Sequence, residues 1–342
     1  MKQKKFVGFG ELLLRMSPDG YLRIAQANRF NLSYSGAEAN MAVSLAYMGV
    51  PTELATKLPE NEIGRCAKRA MDHYGVGTSH IAFGGERLGL YYLEKGASQR
   101  PSKVIYDRKY SAFSQASPAD FDWDAIFRDA GWVHFTGITV ALSPSVREIC
   151  LQACQTARRL GVKVSCDLNY RKTLWTEQES QAAMKPLMKY VDVLIANEED
   201  AEKSLGIRPA NTDITAAKLD ETGYRDLAKA LTEAYGFEAV AFTLRESLSA
   251  SVNNWSALLY RGNQTYCSKK YTIQIVDRVG GGDSFASGLI YGFLQDYGPQ
   301  ETVEFAAAAS CLKHTIEFDL NLSTPAEVHN LMNGDGSGRI AR

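Results

Sequence analysis

Residues 271–293 read YTIQIVDRVGGGDSFASGLIYGF, and this stretch decides the fold. Its first six residues are rich in β-branched and aromatic side chains, which predicts a strand. Phe285, Leu289 and Phe293 then recur at a spacing of four residues, which predicts one face of a helix. The glycines between strand and helix permit positive φ angles and let another group approach the backbone closely. A strand, a glycine turn and a helix N-terminus in this order are typical of an α/β phosphate site, because the first amides of the helix and its dipole attract an anion.

Asp283 is the unusual residue of this stretch. A carboxylate beside a bound anion repels it, unless the carboxylate has a chemical role such as accepting the proton of an attacking hydroxyl. The alternative interpretation is a flexible turn at residues 280–282 with Asp283 as a simple helix N-cap, a position that suits aspartate. A second carboxylate, Asp277, lies six residues upstream and favours the phosphate site.

The segment from Asp277 to Asp283 resembles the D-T-x-G-A-G-D signature of the ribokinase-like sugar kinases, also called the PfkB family, with arginine for threonine and glycine for alanine. The resemblance implies transfer of the γ-phosphate of ATP to a sugar hydroxyl. It makes Gly280, Gly281 and Gly282 the anion hole and Asp283 the general base. It also implies Mg²⁺, because the charge of the transferring phosphoryl group must be neutralised, and it leaves a monovalent-cation site open.

From residue 121 onward, predicted strands and helices alternate. The strands are predicted at residues 132–136, 163–168, 191–196 and 239–243, and the helices at 145–160, 177–188, 199–205 and 224–235. Such alternation predicts βαβ units and a mainly parallel sheet, whose ligands bind beyond the carboxyl ends of its strands. The family resemblance implies the same fold class, a ribokinase-like three-layer α/β/α arrangement with a small β-sheet lid.

Two β-rich inserts, at residues 12–34 and 87–115, alternate polar and apolar side chains without helical periodicity. We interpret them as one small lid on a single kinase domain that spans residues 1–330. Residues 331–342 are predicted to form a frayed C-terminal tail. An exposed edge of the lid can pair with another copy of itself, so we expect a homodimer that forms through the lid.

The composition narrows the classes of function. The chain has 342 residues, of which 45% are hydrophobic, enough for one large α/β domain or for two domains. A formal net charge of -1 argues against nucleic acid or an acidic membrane surface as a partner, and no apolar run is long enough to span a bilayer. Six scattered cysteines without an export signal predict reduced thiols and a cytoplasmic protein.

Gly8-x-Gly10 invites a different interpretation, the dinucleotide site of a nicotinamide dehydrogenase. That motif needs a third glycine three residues after Gly10, where this chain has Leu13, and a helix that begins at the glycines. Neither condition is met in the sequence, so we disfavour a dehydrogenase.

Ser35-Gly-Ala-Glu-Ala-Asn40 resembles the first signature of the sugar-kinase family, G-G-x-x-x-N, with serine for the first glycine. By that resemblance Gly36 and Asn40 contact hydroxyl groups of the sugar. The alternative is an ordinary helix start with small residues.

Aromatic and basic side chains indicate the class of sugar. Tyr91 and Tyr106 on the predicted lid can each cover the apolar face of a sugar while the hydroxyl forms a hydrogen bond. Arg108 on the lid, and Arg171 in a segment that resembles the family's D-x-N-x-R, can each bind a carboxylate bidentately. Two arginines suit an aldonic acid better than a neutral hexose.

The complete set of motifs, from Phe6 to about Val328, resembles the branch of the family that phosphorylates 2-keto-3-deoxygluconate. The resemblance implies transfer to the terminal O6 hydroxyl, which gives 2-keto-3-deoxy-6-phosphogluconate, and it adds Glu11 and Asp319 as substrate contacts. The branch usually has Pro-Gly-Asp where this chain has Glu-Phe-Asp at residues 317–319. The alternatives are a kinase for a neutral sugar such as fructose or ribose, and a non-catalytic sugar or nucleotide sensor. The stereochemistry of the acid sugar, gluconate- or galactonate-derived, stays open.

The nucleotide side departs further from the family pattern. Asn197-Glu-Glu-Asp200 resembles N-x-x-E, which helps to organise magnesium, so we expect Asp200 or Glu199 nearest the metal, since both offer hard oxygen ligands. Arg245 stands where the family has the glycine of T-x-G, and its guanidinium could reach the phosphates of ATP. The predicted nucleotide contacts are Asn169, Asn197, Thr243, Arg245, Gly280 and Gly282.

Overall fold

The computed structural model describes residues 4–208 and 221–334, and its centre is one large sheet. Within those residues the sheet has nine strands, in the order β14-β13-β12-β11-β10-β9-β1-β4, with β15 also paired to β13. The strands are β1 (Lys5–Phe9), β4 (Thr52–Ala55), β9 (Ala130–Thr136), β10 (Lys163–Asp167), β11 (Val193–Ala196), β12 (Ala239–Ser247), β13 (Val252–Arg261), β14 (Gln264–Cys267) and β15 (Tyr271–Gln274). Every neighbouring pair from β4 to β12 is parallel, and the pairs that involve β13 are antiparallel. The predicted mainly parallel sheet is confirmed.

Helices cover both faces of this sheet. They are α1 (Ala37–Tyr47), α2 (Glu62–His73), α3 (Trp123–Ile126), α4 (Gly137–Ala141), α5 (Pro144–Leu160), α6 (Glu177–Met188), α7 (Glu198–Leu205), α8 (Glu221–Tyr235), α9 (Gly281–Leu294), α10 (Pro299–Lys313) and α11 (Pro325–Met332). Strand β11 shows why three layers form. Its residues Leu194 and Ala196 belong to the hydrophobic cluster that contains α5, α6 and α8, whereas Val193 and Ile195 belong to the cluster that contains α1, α9 and α10. Since side chains of a strand alternate between its faces, a fully apolar strand needs cover on both.

The two β-rich inserts supply a separate small sheet. Among the described residues it has four strands, β2 (Leu13–Ser17), β3 (Asn31–Ser35), β7 (Gly89–Glu94) and β8 (Lys103–Asp107), in the order β3-β2-β7-β8. Strands β2 and β7 are parallel and join the two inserts, and the outer pairs are antiparallel. The predicted small sheet beside a mainly parallel sheet is therefore present, and both its edges, β3 and β8, are open.

Some local predictions were wrong. Residues 21–24 alternate in polarity as a strand does, but Tyr21 and Leu22 are exposed and a short 3-10 helix, Ile24–Gln26, begins at the end of the segment. Residues 52–58 form two strands, β4 and a two-residue strand, β5 (Lys57–Leu58), and β5 pairs with β6 (Ala82–Phe83). Alternation alone does not make a strand where no neighbouring surface buries its apolar side.

The predicted start of the frayed C-terminal tail, residue 331, lies too early in the chain. Helix α11 continues to Met332, and Leu331 and Met332 pack against the core. Residues 335–342, where fraying was predicted, lie outside the described residues. Within the described part of the chain, no helix combines the length and the apolar character that crossing a membrane requires.

Candidate active site

One cleft, of about 730 Å³, runs along the carboxyl ends of the parallel strands and beneath the small sheet. All the residues that the sequence assigned to a site line it: Glu11, Gly36, Asn40, Tyr91, Tyr106, Arg108, Asn169, Arg171, Asn197, Glu199, Asp200, Thr243, Arg245, Gly280, Gly281, Gly282, Asp283 and Asp319. They come from both sheets and from both ends of the chain. The fold therefore brings the predicted residues together, and their roles stay predictions.

The glycine turn has the geometry that the sequence predicts at two of its three positions. Gly280 is the N-cap of α9 with φ +82°, and a Cβ atom there would lie 2.0 Å from the main-chain oxygen of Asp319. A Cβ atom at Gly281 would lie 2.5 Å from Cε1 of the His314 ring. At Gly282 a Cβ atom would meet nothing within 4 Å. The backbone therefore requires glycine at the first two positions, whereas the third needs it only if a ligand approaches.

Asp283 is the third residue of α9 and not its N-cap, so the simple capping alternative is wrong. It is half-buried in the cleft, and Nδ2 of Asn40 donates a hydrogen bond of 2.7 Å to its Oδ2 atom. Withdrawal from solvent raises the pKa of Asp283 to about 7. The hydrogen bond from Asn40 opposes this rise, and the nearby carboxyl of Glu38 adds to it. A carboxyl group with a pKa near neutrality can exchange a proton with a substrate hydroxyl.

Glu38 is a buried residue of the cleft that the sequence analysis did not select. Its Oε1 atom accepts hydrogen bonds from the amide and the hydroxyl of Thr136, at 2.9 and 2.8 Å, and from the hydroxyl of Thr139, at 2.6 Å. Burial raises the pKa of Glu38, while these donors lower it. Glu38 lies at one of the positions x of the G-G-x-x-x-N signature, where the family pattern accepts any residue. The motif therefore did not indicate it.

Arg15 was not predicted as a site residue either, although its salt bridges link two residues at the bottom of the cleft. It lies on β2, is fully buried, and donates to Oδ2 of Asp277 at 2.5 Å and to Oδ2 of Asp319 at 2.7 Å. Burial alone lowers the pKa of an arginine, but the carboxylates of Asp319 and Asp277 raise that of Arg15. The available signal was one arginine within the apolar run LLLRM, and an arginine is almost never fully buried unless it is paired.

Asp319 occupies the cleft despite the missing glycine before it. Phe318 has φ +63°, a left-handed conformation in which a glycine is free of strain and a phenylalanine is not. The Phe318 ring lies 5.2 Å from the Arg15 guanidinium, and this cation–π contact helps to hold the conformation. Tyr91 donates its hydroxyl to Oδ1 of Asp319 and lies 2.9 Å from the hydroxyl of Ser35.

Arg108 and Glu11 bind each other in the cleft. Nε of Arg108 donates to Oε2 of Glu11 at 2.7 Å, a second guanidinium nitrogen binds the same oxygen, and Ser111 donates to Oε1. The ring of Tyr106, which is half exposed, lies 5.6 Å from the Arg108 guanidinium. The sequence predicts separate substrate contacts for Arg108 and Glu11, whereas in the structure they form one unit between the small sheet and the end of β1.

Two carboxyl groups at the ends of β10 and β11 fit a divalent cation. Asp200 is buried, burial raises its pKa to about 7, and it accepts the amide of Tyr170 at 3.2 Å. Asp167 was not selected from the sequence; withdrawal from solvent, with the carboxyls of Asp200 and Asp283 nearby, raises its pKa well above the usual range. A bound cation would relieve both shifts, and oxygen ligands suit Mg²⁺. Glu199 instead pairs with Lys203 at 2.7 Å and is largely exposed, so Asp200 is the better of the two predicted metal residues.

The set of protein ligands for a cation is small. Among residues 4–208 and 221–334, no three side chains of His, Cys, Asp or Glu are grouped so that they could hold a metal ion alone. Mg²⁺ usually keeps several waters and binds through one or two carboxylates plus the phosphates of a substrate. Asp167 and Asp200 therefore fit a magnesium ion that arrives with a nucleotide.

Two arginines define the other end of the cleft. Arg245 on β12 is exposed, and Arg278 of the turn donates to the carbonyl oxygens of Ser249 and Ala250 at 3.4 and 3.2 Å. Burial, with the charge of Arg245 nearby, lowers the pKa of Arg278, and its buried Nε atom meets no acceptor among the described residues. Within residues 4–208 and 221–334 neither guanidinium forms a salt bridge with a carboxylate, and such a pair of guanidinium groups suits phosphate.

The remaining predicted residues serve local structure as well as the cleft. Oδ1 of Asn197 accepts the amide of Asp200 at 2.8 Å and caps α7. Asn169 has φ +40°, which asparagine tolerates, and its amide donates to Oδ1 of Asp167 at 3.1 Å. Arg171 is exposed at the mouth of the cleft and donates to the carbonyl oxygen of its neighbour Tyr170 at 3.0 Å.

Comparison with known proteins identifies relatives over nearly the whole chain. The family model described as pfkB family carbohydrate kinase matches residues 3–316. The chain is 32% identical over 335 residues to the 2-dehydro-3-deoxygalactonokinase of Haloferax volcanii, with 98% of both chains covered. It is 26% identical over 331 residues to the 2-dehydro-3-deoxygluconokinase of Thermoproteus tenax, which covers 95% of this chain and 93% of that relative.

The fold also matches solved structures. The crystal structure of a 2-dehydro-3-deoxygluconokinase from Thermotoga maritima superposes with a TM-score of 0.94 at 50% sequence identity, and the match covers 97% of this chain and 99% of that chain. Because the match covers nearly all of both chains, this chain shares the fold of that protein.

Proposed function

Since the chain belongs to the pfkB family of carbohydrate kinases, we propose that it transfers the γ-phosphate of ATP to the terminal O6 hydroxyl of 2-keto-3-deoxygluconate. The product is 2-keto-3-deoxy-6-phosphogluconate. The observation that supports the proposal is Asp283, which has a pKa of about 7, accepts a hydrogen bond from Asn40 and lines the same cleft as the glycine turn, Arg108 and Arg171. Relatives whose names specify 2-dehydro-3-deoxygluconate support the choice of substrate.

Asp283 acts as the general base of the reaction. Its carboxylate takes the proton of the O6 hydroxyl as that oxygen attacks the γ-phosphorus, and the first-turn amides of α9 hold the negative charge that develops on the phosphoryl oxygens. Amides in the first turn of a helix have no acceptor within the helix, so they remain available to an anion. A pKa of about 7 keeps a large fraction of Asp283 ionised at neutral pH and leaves it basic enough to accept the proton.

The acid sugar is bound by residues of both sheets. Arg108 and Arg171 bind its carboxylate, and Glu11 keeps the Arg108 guanidinium in a fixed orientation. Asn40, Gly36 and Asp319 meet its hydroxyl groups, and Tyr91 and Tyr106 cover its apolar face, with ring centroids 5.8 Å apart. The small sheet closes over the sugar and excludes water, which would otherwise compete as the phosphate acceptor.

ATP and Mg²⁺ occupy the other end of the cleft. Asp200 and Asp167 would hold the ion, directly or through water, and a bound ion would supply positive charge to neutralise the transferring phosphoryl group. Thr243, Arg245, Asn197 and Asn169 contact the nucleotide, and Arg278, absent from the sequence-based set, adds a second guanidinium near its phosphates.

An assay of ADP release across a panel of acceptors tests the proposal. We expect turnover with 2-keto-3-deoxygluconate or its galactonate-derived epimer, and weak or no turnover with gluconate, fructose and ribose. The epimer belongs in the panel because one relative is named a 2-dehydro-3-deoxygalactonokinase. Preference for fructose or ribose would make the chain a neutral-sugar kinase. ATP binding without release of ADP for any acceptor would make it a sensor.

Replacement of the base tests the mechanism within the same assay. We expect Asp283→Asn to lower kcat by roughly two to four orders of magnitude, the usual contribution of a general base. Asp296→Asn, an acidic residue beyond the far end of α9, is the control and should leave kcat unchanged. Near-normal turnover of Asp283→Asn would contradict the assignment.

We also propose that the protein is a homodimer that pairs through the small sheet. Every residue of β8 is exposed, and this edge strand carries Val104, Ile105 and Tyr106, with 41, 42 and 49% of their surfaces exposed. An open apolar edge is a template for pairing with a second copy. Light scattering should give twice the chain mass for the wild type and a smaller mass for Ile105→Lys; a monomeric wild type would refute the dimer.

A cytoplasmic location is part of the same proposal. All six cysteines are free thiols, and the reaction consumes ATP. Cell fractionation in the source organism, with the protein found in the membrane or secreted fraction, would contradict this location.

A further inference from the structure

A lysine side chain lies fully buried directly behind the glycine turn. Lys313 is the last residue of α10 and has 0% of its surface exposed. Its Nζ atom donates to the main-chain oxygen of Asp277 at 3.1 Å and to that of Ile316 at 3.3 Å. Transfer of an ammonium group from water into a protein interior is costly unless it is compensated, and lysine is almost never fully buried without a partner. If this position served packing alone, a hydrophobic side chain would cost less free energy to bury than a lysine.

The surroundings of Lys313 favour the protonated, positively charged form of its amine. The C-terminal end of α10 carries the negative end of the helix dipole, which favours a cation. Arg15, Asp277 and Asp319 form the neighbouring salt bridges, so two positive and two negative groups lie together behind the turn. Burial lowers the pKa of Lys313 to about 8 while Asp277 and Asp319 oppose this fall, so the amine is mainly protonated at pH 7.

The end of α10 forms the platform on which the turn rests. The main-chain oxygen of His314 accepts the amides of Val276 and Asp277, at 2.8 and 3.3 Å. The hydroxyl of Ser310 donates to the main-chain oxygen of Gly281 at 2.7 Å, and the His314 ring fills the space that a Cβ atom on the same glycine would need. These contacts are neutral, whereas the contact of Lys313 with the Asp277 carbonyl brings a full charge to the point where the chain enters the turn.

We infer that Lys313 is a positioning residue for phosphoryl transfer and acts as a cation built into the chain. Its ammonium holds the carbonyl groups behind the turn in the orientation that aims the amides of Gly282 and Asp283 at the transferring phosphate. Because the chain supplies this charge itself, turnover does not depend on an added monovalent cation. The inference rests on the proposed kinase function.

The first experiment uses the unchanged protein. ADP release is measured with Mg²⁺ and with sodium, potassium or tetramethylammonium chloride at equal ionic strength. We expect kcat to agree within about twofold in the three salts, a difference of less than about 0.5 kcal/mol in the barrier. A loss of more than about tenfold in tetramethylammonium would show that a small free cation supplies the charge, and would overturn the inference. Absence of ADP release in every salt would instead refute the proposed function.

The second experiment removes the charge. Lys313→Met keeps the length of the side chain, and we expect it to lower kcat by roughly 10- to 100-fold, the scale of misplacing a reacting group. KM for ATP and for the acid sugar should change by less than about threefold, because the residue touches neither. Lys229→Met, at an exposed lysine of α8 paired with Glu233, is the matched control and should keep the wild-type rate. A Lys313→Met enzyme that keeps its kcat would overturn the inference.

A rescue experiment separates charge from packing. Lys313→Ala leaves a space behind the turn, and ammonium or methylammonium chloride should restore kcat in this variant by about tenfold or more over tetramethylammonium chloride. The Lys229→Met control should not respond. A folded Lys313→Ala enzyme that no small cation restores would assign Lys313 to packing alone and would overturn the inference. If the variants do not fold, the salt series on the wild type still decides it.

Discussion

At the scale of single residues, the chemistry of the cleft depends on where Asp283 loses its proton. Partial burial raises its pKa to about 7, and the hydrogen bond from Asn40 limits that rise. A raised carboxyl pKa means that the base is protonated, and inactive, on the acid side of neutrality. In the proposed mechanism Asp283 therefore sets the acid limb of the pH profile.

We predict an acid limb of kcat/KM with a midpoint near pH 7, at which activity falls about tenfold per unit of pH below it. Loss of the Asn40 hydrogen bond should move the midpoint upward, so Asn40→Ala should need a higher pH for half its maximal kcat/KM. The measurement is made at saturating Mg²⁺, because Asp200 has a pKa of about 7 as well and a bound cation removes its titration. A midpoint below about pH 5 would show that Asp283 is an ordinary carboxyl group.

Phe318 has a backbone angle that a glycine adopts without strain and other residues do not. At φ +63° an alanine is strained whereas a glycine is not. We predict that Phe318→Gly has a free energy of unfolding about 1 kcal/mol higher than Phe318→Ala, although both lose the same contact with Arg15.

The control is the same pair of substitutions at Thr315, a nearby exposed residue that does not have positive φ. There the order reverses, and the glycine variant should be less stable than the alanine variant by about 0.5 to 1 kcal/mol. Urea unfolding measures all four variants. Equal stability of the two Phe318 variants would mean that the left-handed conformation costs nothing.

At the scale of secondary-structure elements, the start of α9 separates what glycine does for the fold from what it does for a ligand. A Cβ atom at Gly281 meets the His314 ring, whereas one at Gly282 points into open space in the cleft. The two adjacent glycines therefore have different physical reasons to be glycine.

We predict that Gly282→Ala raises the free energy of unfolding by about 0.5 to 1 kcal/mol, since alanine loses less backbone entropy in a helix. The same substitution should lower kcat, because its methyl group occupies the approach of the phosphate. Gly281→Ala should instead lower the free energy of unfolding by about 1 to 3 kcal/mol, the cost of overpacking. Thermal unfolding and ADP release together distinguish them, and a Gly282→Ala enzyme with full activity would place the phosphate elsewhere.

At the scale of the whole molecule, Arg15 joins the small sheet to the chain on either side of the glycine turn, at Asp277 and Asp319. It extends from β2 into the charge cluster behind the cleft and binds Asp277 and Asp319 with no exposed surface. The two sheets are thereby connected through a buried ion pair as well as through apolar contacts. Removal of one partner leaves buried carboxylates without compensation.

We predict that Arg15→Met lowers the free energy of unfolding by about 3 to 5 kcal/mol, the usual cost of breaking a buried ion pair. Arg29→Met is the matched control, because Arg29 pairs with Asp19 at 2.6 Å while 78% of its side chain is exposed. An exposed pair contributes about 0 to 1 kcal/mol, so the control should be nearly neutral. Equal effects in urea unfolding would show that the buried cluster does not hold the small sheet.

The sequence by itself determined the fold class and most of the candidate site. Periodicity and turn chemistry act over a few residues, so they predicted the strands from residue 132 to 243 and the glycine turn directly. Most of the predicted site residues came from the resemblance to the sugar-kinase motifs, and the cleft residues outside those motifs, such as Glu38 and Asp167, were not predicted. One wrong prediction is the strand at residues 21–24. Its apolar side chains alternate with polar ones, but they have no neighbouring surface to pack against.

The tertiary structure alone decided which charges meet. Arg15 binds carboxylates 262 and 304 residues away, and Arg108 binds Glu11 across 97 residues. Lys313 likewise reaches a carbonyl group 36 residues upstream. No local pattern encodes such pairs, because the energy of a charge depends on its burial and on partners that only the folded chain brings within hydrogen-bonding distance.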